Sequence, residues 1–389
     1  MRLKTAPPLL IVLALWMAGL GAAAQFGKMS VIYDQLGAVY LDQRGVGIGV
    51  LVSMIGIIGL IFGNTAGALV ARIGPKRATL YALAIGALIS LFQSFLPAYP
   101  WILASRVPEG LSHLAIVVVG PTAMAAAVTI RFQGLVMTLW GSFFGVSFAA
   151  LAYFGPGLVA AHGPGLLFQA HAAWLMLCLA ALWLLMPADL ITAPPPKTSV
   201  LAQHIDTYRS PRIAAPALGF VCYTVTYVAV LTLLPGAISP LWGHFTAVAM
   251  PLVSILISLT LGVWLLGQMS AVRVVQVGFA AVIVAALGLW ATWGQGASTS
   301  FFACMVAASM GVVQGASFAS IPQLNALPAD RARAAGAIAQ LGNLGTTTGT
   351  PALAFLLMQF GVSGMAVFLI AFSALGILLH HWQARRRGN

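Results

Sequence analysis

Ionisable side chains interrupt stretches of this chain that are otherwise almost wholly apolar, among them Lys28, then Arg106, Glu109 and His113. A charge at mid-depth in a hydrocarbon layer costs at least ~2.5–3.5 kcal/mol, so each needs a partner or a function. At about 100° per residue, Arg106, Glu109 and His113 fall within an arc of roughly 60° and make one polar face on a helix. Counting inward from Pro100 puts Glu109 about 13 Å below the surface, and counting back from Gly37 puts Lys28 level with it. A carboxylate facing two cations at that depth can exchange a proton, because burial raises its pKa while the cations lower it. The two cations against one carboxylate leave an excess positive charge, which suits a small anionic or zwitterionic solute. Plainer readings stand beside this one: a buried ion pair, or a Lys28 that snorkels outward. His113 suits polar filler as well as it suits a proton relay.

The helices that must position these residues are membrane spans. Of the 389 residues 61% are apolar and only 6% charged, with mean hydropathy +1.00, whereas soluble domains carry about a quarter charged residues. Apolar runs cover residues 9–36, 47–70, 80–96, 101–128, 135–160, 167–186, 213–238, 245–266, 274–293, 301–324, 334–360 and 362–379. Each can cross a ~30 Å core at about 1.5 Å per residue. Threaded from a cytoplasmic N-terminus, these twelve spans leave Arg2, Lys4, Arg72, Lys76, Arg77, Arg131, Lys197, Arg209, Arg212, Arg273, Arg331, Arg333, Arg385, Arg386 and Arg387 on the cytoplasmic side. Only Arg44 falls on the other side, as the positive-inside rule requires, so both termini are expected in the cytoplasm of a cell whose inner membrane holds the chain.

The same rule accounts for the net charge of +12 without any nucleic-acid partner. Cys178, Cys222 and Cys304 sit singly in three spans, and the seven histidines show no ligand spacing, so neither a metal nor another cofactor is expected. The segment from Arg2 through Ala22-Ala23-Ala24-Gln25 imitates a cleavable signal. Its retention is expected, because removing it leaves eleven spans and spoils an internal repeat.

That repeat divides the chain. Residues 188–210 are polar, with prolines 194–196, and read as a linker between a six-helix bundle over 1–187 and another over 211–389. At an offset near two hundred, Arg131-Phe-Gln-Gly134 matches Arg333-Ala-Ala-Gly336, and Glu109-Gly110 matches Gln314-Gly315. A parallel six-plus-six repeat is one of the large transporter architectures.

Between the second and third spans, Gly67-Ala-Leu-Val-Ala-Arg72-Ile-Gly74-Pro-Lys76-Arg77 resembles the major facilitator signature Gly-x-x-x-Asp-Arg-x-Gly-Arg-Arg/Lys. Arg106-Val-Pro-Glu109-Gly110 resembles the family's Arg-x-x-Gln-Gly in the fourth span. The resemblance covers essentially the whole chain and implies an all-α membrane protein, twelve helices in two bundles, working by alternating access. Proton-coupled drug antiporters and cyanate- or nitroimidazole-type permeases look nearest. The antiporter motif Gly-x-x-x-Gly-Pro is half present, with Gly141 and Gly145 followed by Val146. The resemblance also places the first and fourth helices on a central cavity, and gives Gly67, Arg72, Gly74, Lys76 and Arg77 to a cytoplasmic gate. Ala71 stands where the signature has Asp. Asp330, just before the eleventh span, is the candidate replacement, or else a cap on its own helix.

The C-terminal half offers neutral hydrogen-bonding groups instead of charges: Tyr223 and Tyr227, which share a helix face, then Gln314, Gln340 and Asn343. Gly56, Gly59, Gly63 and Gly67 suit close helix packing rather than a phosphate loop, and no strand precedes them, so ATPase chemistry is excluded. The expectation is a monomeric, non-enzymatic secondary transporter, with a small-molecule substrate, the bilayer and H⁺ as partners. Efflux of an amphiphilic drug, or a non-transporting assembly factor or sensor on the same fold, are the alternatives. A reporter fused after Asn389 should be cytoplasmic, and a cysteine at Gln43 should label from outside intact cells; external accessibility of the reporter would overturn this topology.

Overall fold

The computed structural model describes residues 7–189 and 200–388, and their regular structure is helical throughout, with no strand among the described residues. Arg2, Lys4, prolines 194–196 and Lys197 lie outside the described residues. In chain order the helices are α1 (Pro8–Ser30), α2 (Tyr33–Val39), α3 (Val46–Ser53), α4 (Ile57–Phe62), α5 (Ala66–Ile73), α6 (Pro75–Gln93), α7 (Tyr99–Ala127), α8 (Ile130–Gly141) and α9 (Phe143–His162). Then follow α10 (Pro164–Leu185), α11 (Val200–Arg209), α12 (Ala214–Ala237), α13 (Pro240–Ile257), α14 (Val263–Gln268), α15 (Ala271–Ala291), α16 (Ala297–Leu324) and α17 (Pro328–Arg386). Proline opens α1, α6, α10, α13 and α17, where its missing N–H costs nothing.

Nine helical runs among the described residues are long and apolar enough to cross a membrane. Asp330–Arg386, at 57 residues, is far too long for one crossing. It breaks at Gly361, whose φ of 55° and ψ of −140° are not helical. Gly345 lies against Thr224 of α12, and His380 lies against Gly219, about one turn away on the same helix. The chain therefore reverses between them, making two antiparallel crossings and keeping the helices consistent with twelve spans.

The run expected as one helix over 47–70 is instead α3, a 3₁₀ turn at Met54–Gly56, α4, and, after a break at Asn64, α5. The cause is visible in its glycines. A Cβ on Gly56 would lie 3.1 Å from the Asn343 carbonyl, Gly59 sits on the Asn343 side chain, and a Cβ on Gly63 would lie 3.0 Å from the Gln340 nitrogen. Glycine admits that approach but lowers helix preference by ~1 kcal/mol each time.

Two compact units result, Met1–Ile32 with Thr65–Lys197, and Tyr33–Asn64 with Thr198–Asn389. In the first, Val12, Leu15, Leu83, Ile116, Trp140 and Leu175 join in one core. Trp140 lies against two glycines, since a Cβ on Gly19 would come within 2.9 Å of its ring and one on Gly120 closer still. In the second, α12 is the most enclosed of the apolar runs, with 83% of its apolar window buried. Outward faces carry Leu88, Leu184 and Val284, each about two-thirds exposed, as suits a surface solvated by lipid.

Gly345 of α17 tests this packing, because a Cβ there would meet the Thr224 side chain and stand 2.7 Å from the Val225 nitrogen. Gly345→Leu should lower thermal stability in detergent by ~1–3 kcal/mol. Gly157→Leu, which has nothing within 4 Å, should have little effect. Equal losses in both would overturn the close approach of α12 and α17.

Candidate functional site

Four helices of the first unit bring their polar residues to one point. Lys28 comes from α1, Ser90 and Gln93 from α6, Arg106 and Glu109 from α7, and His171 from α10. Lys28, Arg106 and Glu109 are each 0% exposed. The Lys28 ammonium donates to Glu109 Oε1 at 2.6 Å and to Ser90 Oγ at 2.9 Å, and lies 3.3 Å from His171 Nδ1. Three N–H groups thus face three acceptors, and the Phe168 ring lies 5.3 Å away. Lys28 does not snorkel.

His171 presents a lone pair to Lys28 because its other nitrogen, Nε2, lies 2.9 Å from the Gly21 carbonyl and must carry the proton. Ser90 stands 2.9 Å from both the Phe168 carbonyl and His171 Nδ1, with one proton for the two. On the other side of the carboxylate, Glu109 Oε2 accepts from Arg106 Nη1 and from Gln93 Nε2, the latter at 2.8 Å. Gln93 Nε2 also donates to Ser105 Oγ at 2.9 Å. Both carboxylate oxygens are engaged, and the cluster retains an excess positive charge. Such an arrangement can hold or release a proton at Glu109 and can offer two cations to an anion.

His113 is on the same face of α7 but turned elsewhere. Its Nδ1 lies 2.9 Å from the Ala22 carbonyl, and its ring meets Phe26 edge-on at 5.1 Å. In the second unit, Tyr223 and Tyr227 are buried and stack at 5.0 Å between ring centroids, with the Phe220 ring tilted against Tyr223 at 5.1 Å. Gln314 is half-buried on α16. Asn343 donates back to the Ala339 carbonyl at 2.7 Å and lies against Gly59.

The signature loop shows what occupies the neighbourhood of its missing carboxylate. Asp189, three residues beyond Met186, accepts the Lys76 N–H at 2.7 Å and the Arg77 N–H at 3.0 Å. These are unsatisfied first-turn donors of α6. In return the Lys76 ammonium donates to the Trp183 and Met186 carbonyls at the end of α10, at 2.8 and 2.6 Å. Each helix end caps the other. Gly74 has φ 97°, and the Asp189 carboxylate fills the place of its Cβ, so glycine is required twice over. Arg72 is exposed, and nothing lies within 4 Å of a Cβ on Gly67. Asp330 pairs with Arg333 on its own helix at 3.6 Å, both about one-third exposed.

Residues 188–210 also contain α11, a helix missed in the sequence. It docks through Gln340 of α17. Tyr208 donates to Gln340 Oε1 at 2.8 Å, while Gln340 Nε2 donates to the Leu60 carbonyl and to His204 Nε2, both at 3.0 Å. Burial pushes the Tyr208 phenol up to about 12.

A bundle of apolar helices around sealed charges, with a basic loop between helices, defines the class: a multi-pass membrane transporter of solutes. The Major Facilitator Superfamily model matches residues 9–339, and the chain belongs to that family. Its fold is similar to that of a bacterial homologue of the human lysosomal transporter Spinster, solved in an inward-facing, unoccupied conformation, with a TM-score of 0.72, 13% identity and 97% of each chain covered. No curated protein matches the sequence.

Asp189 was not among the residues the sequence singled out, and it generates a direct test. Asp189→Ala should cost ~0.5–2 kcal/mol of stability, as loss of a helix cap does. Asp189→Asn should cost less, since one acceptor oxygen remains. A loss for Asp189→Ala inside ±0.5 kcal/mol, the range of an ordinary surface change, would remove Asp189 from the loop clamp.

Proposed function

We propose that this transporter carries a small anionic or zwitterionic organic solute by alternating access, driven by H⁺. The observation that supports it is the sealed Lys28–Glu109–Arg106 cluster, two cations against one carboxylate with no exposure to solvent. Protonating Glu109 leaves two buried cations without their counter-charge, which is costly unless an anion arrives. A proton and a negatively charged solute then stabilise one another's binding, and neither is well accommodated alone. That reciprocity is what coupling requires. On this reading Tyr223, Tyr227, Gln314 and Asn343 supply neutral hydrogen bonds to the solute, and His113 supports α1. Gly67, Arg72, Gly74, Lys76, Arg77 and Asp330 serve a cytoplasmic gate. A six-plus-six division around 188–210, an inner-membrane location, cytoplasmic termini and a monomeric state complete the proposal.

Candidate solutes come from thermal-shift screening of the purified protein, where a ligand at 100 times its Kd adds about 2.7 kcal/mol. In proteoliposomes, Glu109→Gln should abolish accumulation driven by a pH gradient yet leave exchange between preloaded vesicles largely intact. Lys28→Ala should instead weaken solute binding itself. Normal pH-driven accumulation by Glu109→Gln would reduce the cluster to a structural ion network and end the proton-coupled reading.

A further inference from the structure

The foot of the second unit gathers five arginines from two chain segments. Arg209 and Arg212 precede α12, and Arg385, Arg386 and Arg387 end α17. Backbone carbonyls stitch the segments together: Arg386 Nη2 donates to the Arg209 carbonyl at 3.3 Å and Arg387 Nη1 to the Pro211 carbonyl at 3.1 Å. None of the five takes part in an ion pair among the described residues. Basic residues at a membrane edge need no partner while water solvates them. Here the solvation is incomplete. Arg387 is half-buried, its Nε is buried without a partner, and burial and the nearby Arg212 both push its guanidinium below the ordinary value.

A second observation is independent of charge. Gln383 is 1% exposed, and neither its amide oxygen nor its amide nitrogen has a partner. Buried polar groups in native proteins are nearly always satisfied, so an empty-handed amide asks for a group not yet present. His380, Gln383 and Arg387 stand at i, i+3 and i+7, within roughly 60° on one face of the helix. That face meets the start of α12: His380 lies on Gly219, and Arg387 reaches Pro211. The N-terminal end of α12 adds the positive end of its dipole. Trp382, half-exposed with Arg386 stacked 5.0 Å from its ring, marks the boundary between lipid and water.

We propose that this foot is a binding site for a phosphate-type anion, held by the Arg387 and Arg212 guanidinium groups and the Gln383 amide. The headgroup of an anionic lipid and free phosphate share that chemistry, and the position beside Trp382 favours the headgroup. The site is separate from the Lys28–Glu109–Arg106 cluster and does not depend on what the transporter carries.

The test uses the purified full chain. Native mass spectrometry measures retention of phosphatidylglycerol against phosphatidylcholine, and thermal shift is read with inorganic phosphate. Phosphatidylglycerol should be retained preferentially, and Arg387→Gln and Arg212→Gln should each weaken that retention by roughly fivefold. Gln383→Leu should weaken it too, and Arg131→Gln, which removes an exposed arginine of the first unit, should not. Stabilisation by inorganic phosphate that Arg212→Gln removes, without lipid preference, would support the site and assign it to free phosphate. Arg212 is exposed and its side chain makes no hydrogen bond among those described, so its variant keeps the test decisive if Arg387→Gln unfolds. Equal retention of both lipids with no phosphate effect would overturn the proposal. So would an Arg131→Gln loss as large as that of Arg212→Gln, which would reduce the effect to general surface charge.

Discussion

The ammonium of Lys28 sets the terms for the first unit. Held at 0% exposure in a bundle surrounded by lipid, it must find three acceptors, and they come from three other helices. Glu109 is on α7, Ser90 on α6 and His171 on α10. A slip of one residue in any of these helices would turn an acceptor away and leave a charge uncompensated. Burying the cluster is not thereby stabilising, since replacing such groups with apolar ones is often neutral or better, while breaking one partner costs ~3–5 kcal/mol. What the cluster supplies is register. The apolar core of the same unit, which includes Leu15, Leu83 and Leu175, would tolerate a slide; the ion network would not.

The second unit solves helix packing by different means. Its hydroxyls mostly bond back to their own helix, as Thr224, Thr226 and Thr232 do, and so stay hydrogen-bonded when buried. Close approach is left to glycine. Gly345 and Gly349 let the α17 backbone reach the Val225 backbone, and Gly56, Gly59 and Gly63 let α17 meet the segment 46–63. The price is irregularity: that segment breaks into short helices where a glycine-free span would have run straight. One unit is pinned by ions and the other interlocked by glycine, so a chemical signal such as protonation has far more to act on in the first.

Much of this was legible in the residues. Apolar runs located the helices, Gly361 fell at the expected junction of the last two spans, and depth counting set Lys28 level with Glu109. The neutral helpers were not legible. Ser90, Gln93 and His171 are unremarkable in apolar runs until three dimensions turn them toward one ammonium, and periodicity relates residues on one helix only. Asp189 left a stronger trace. It is one of only six acidic residues in the chain, and it follows the sixth span closely. The family's pattern points instead to Asp330, in the opposite half of the chain. Helix α11 was hidden by the polarity and prolines that made 188–210 read as a linker.

Asp189 also changes what the absence at position 71 means. A carboxylate inside the signature would stand among Arg72, Lys76 and Arg77 and compete for all three. With Ala71 there, Lys76 is free to reach the carbonyls ending α10, and the backbone of Lys76 and Arg77 is free to receive Asp189. The loop is therefore fastened by helix-end hydrogen bonds rather than by a charge pair within the motif. Hydrogen bonds to helix ends fall off within a turn and are geometrically exacting, whereas exposed charge pairs are long-ranged and screened by salt. A loop fastened in this way moves with α6 and α10 as one piece. The exposed side chains of Arg72 and Arg77 are then the signature cations that this clamp leaves unclaimed, and of the three basic residues they are better placed than Lys76 to change partners.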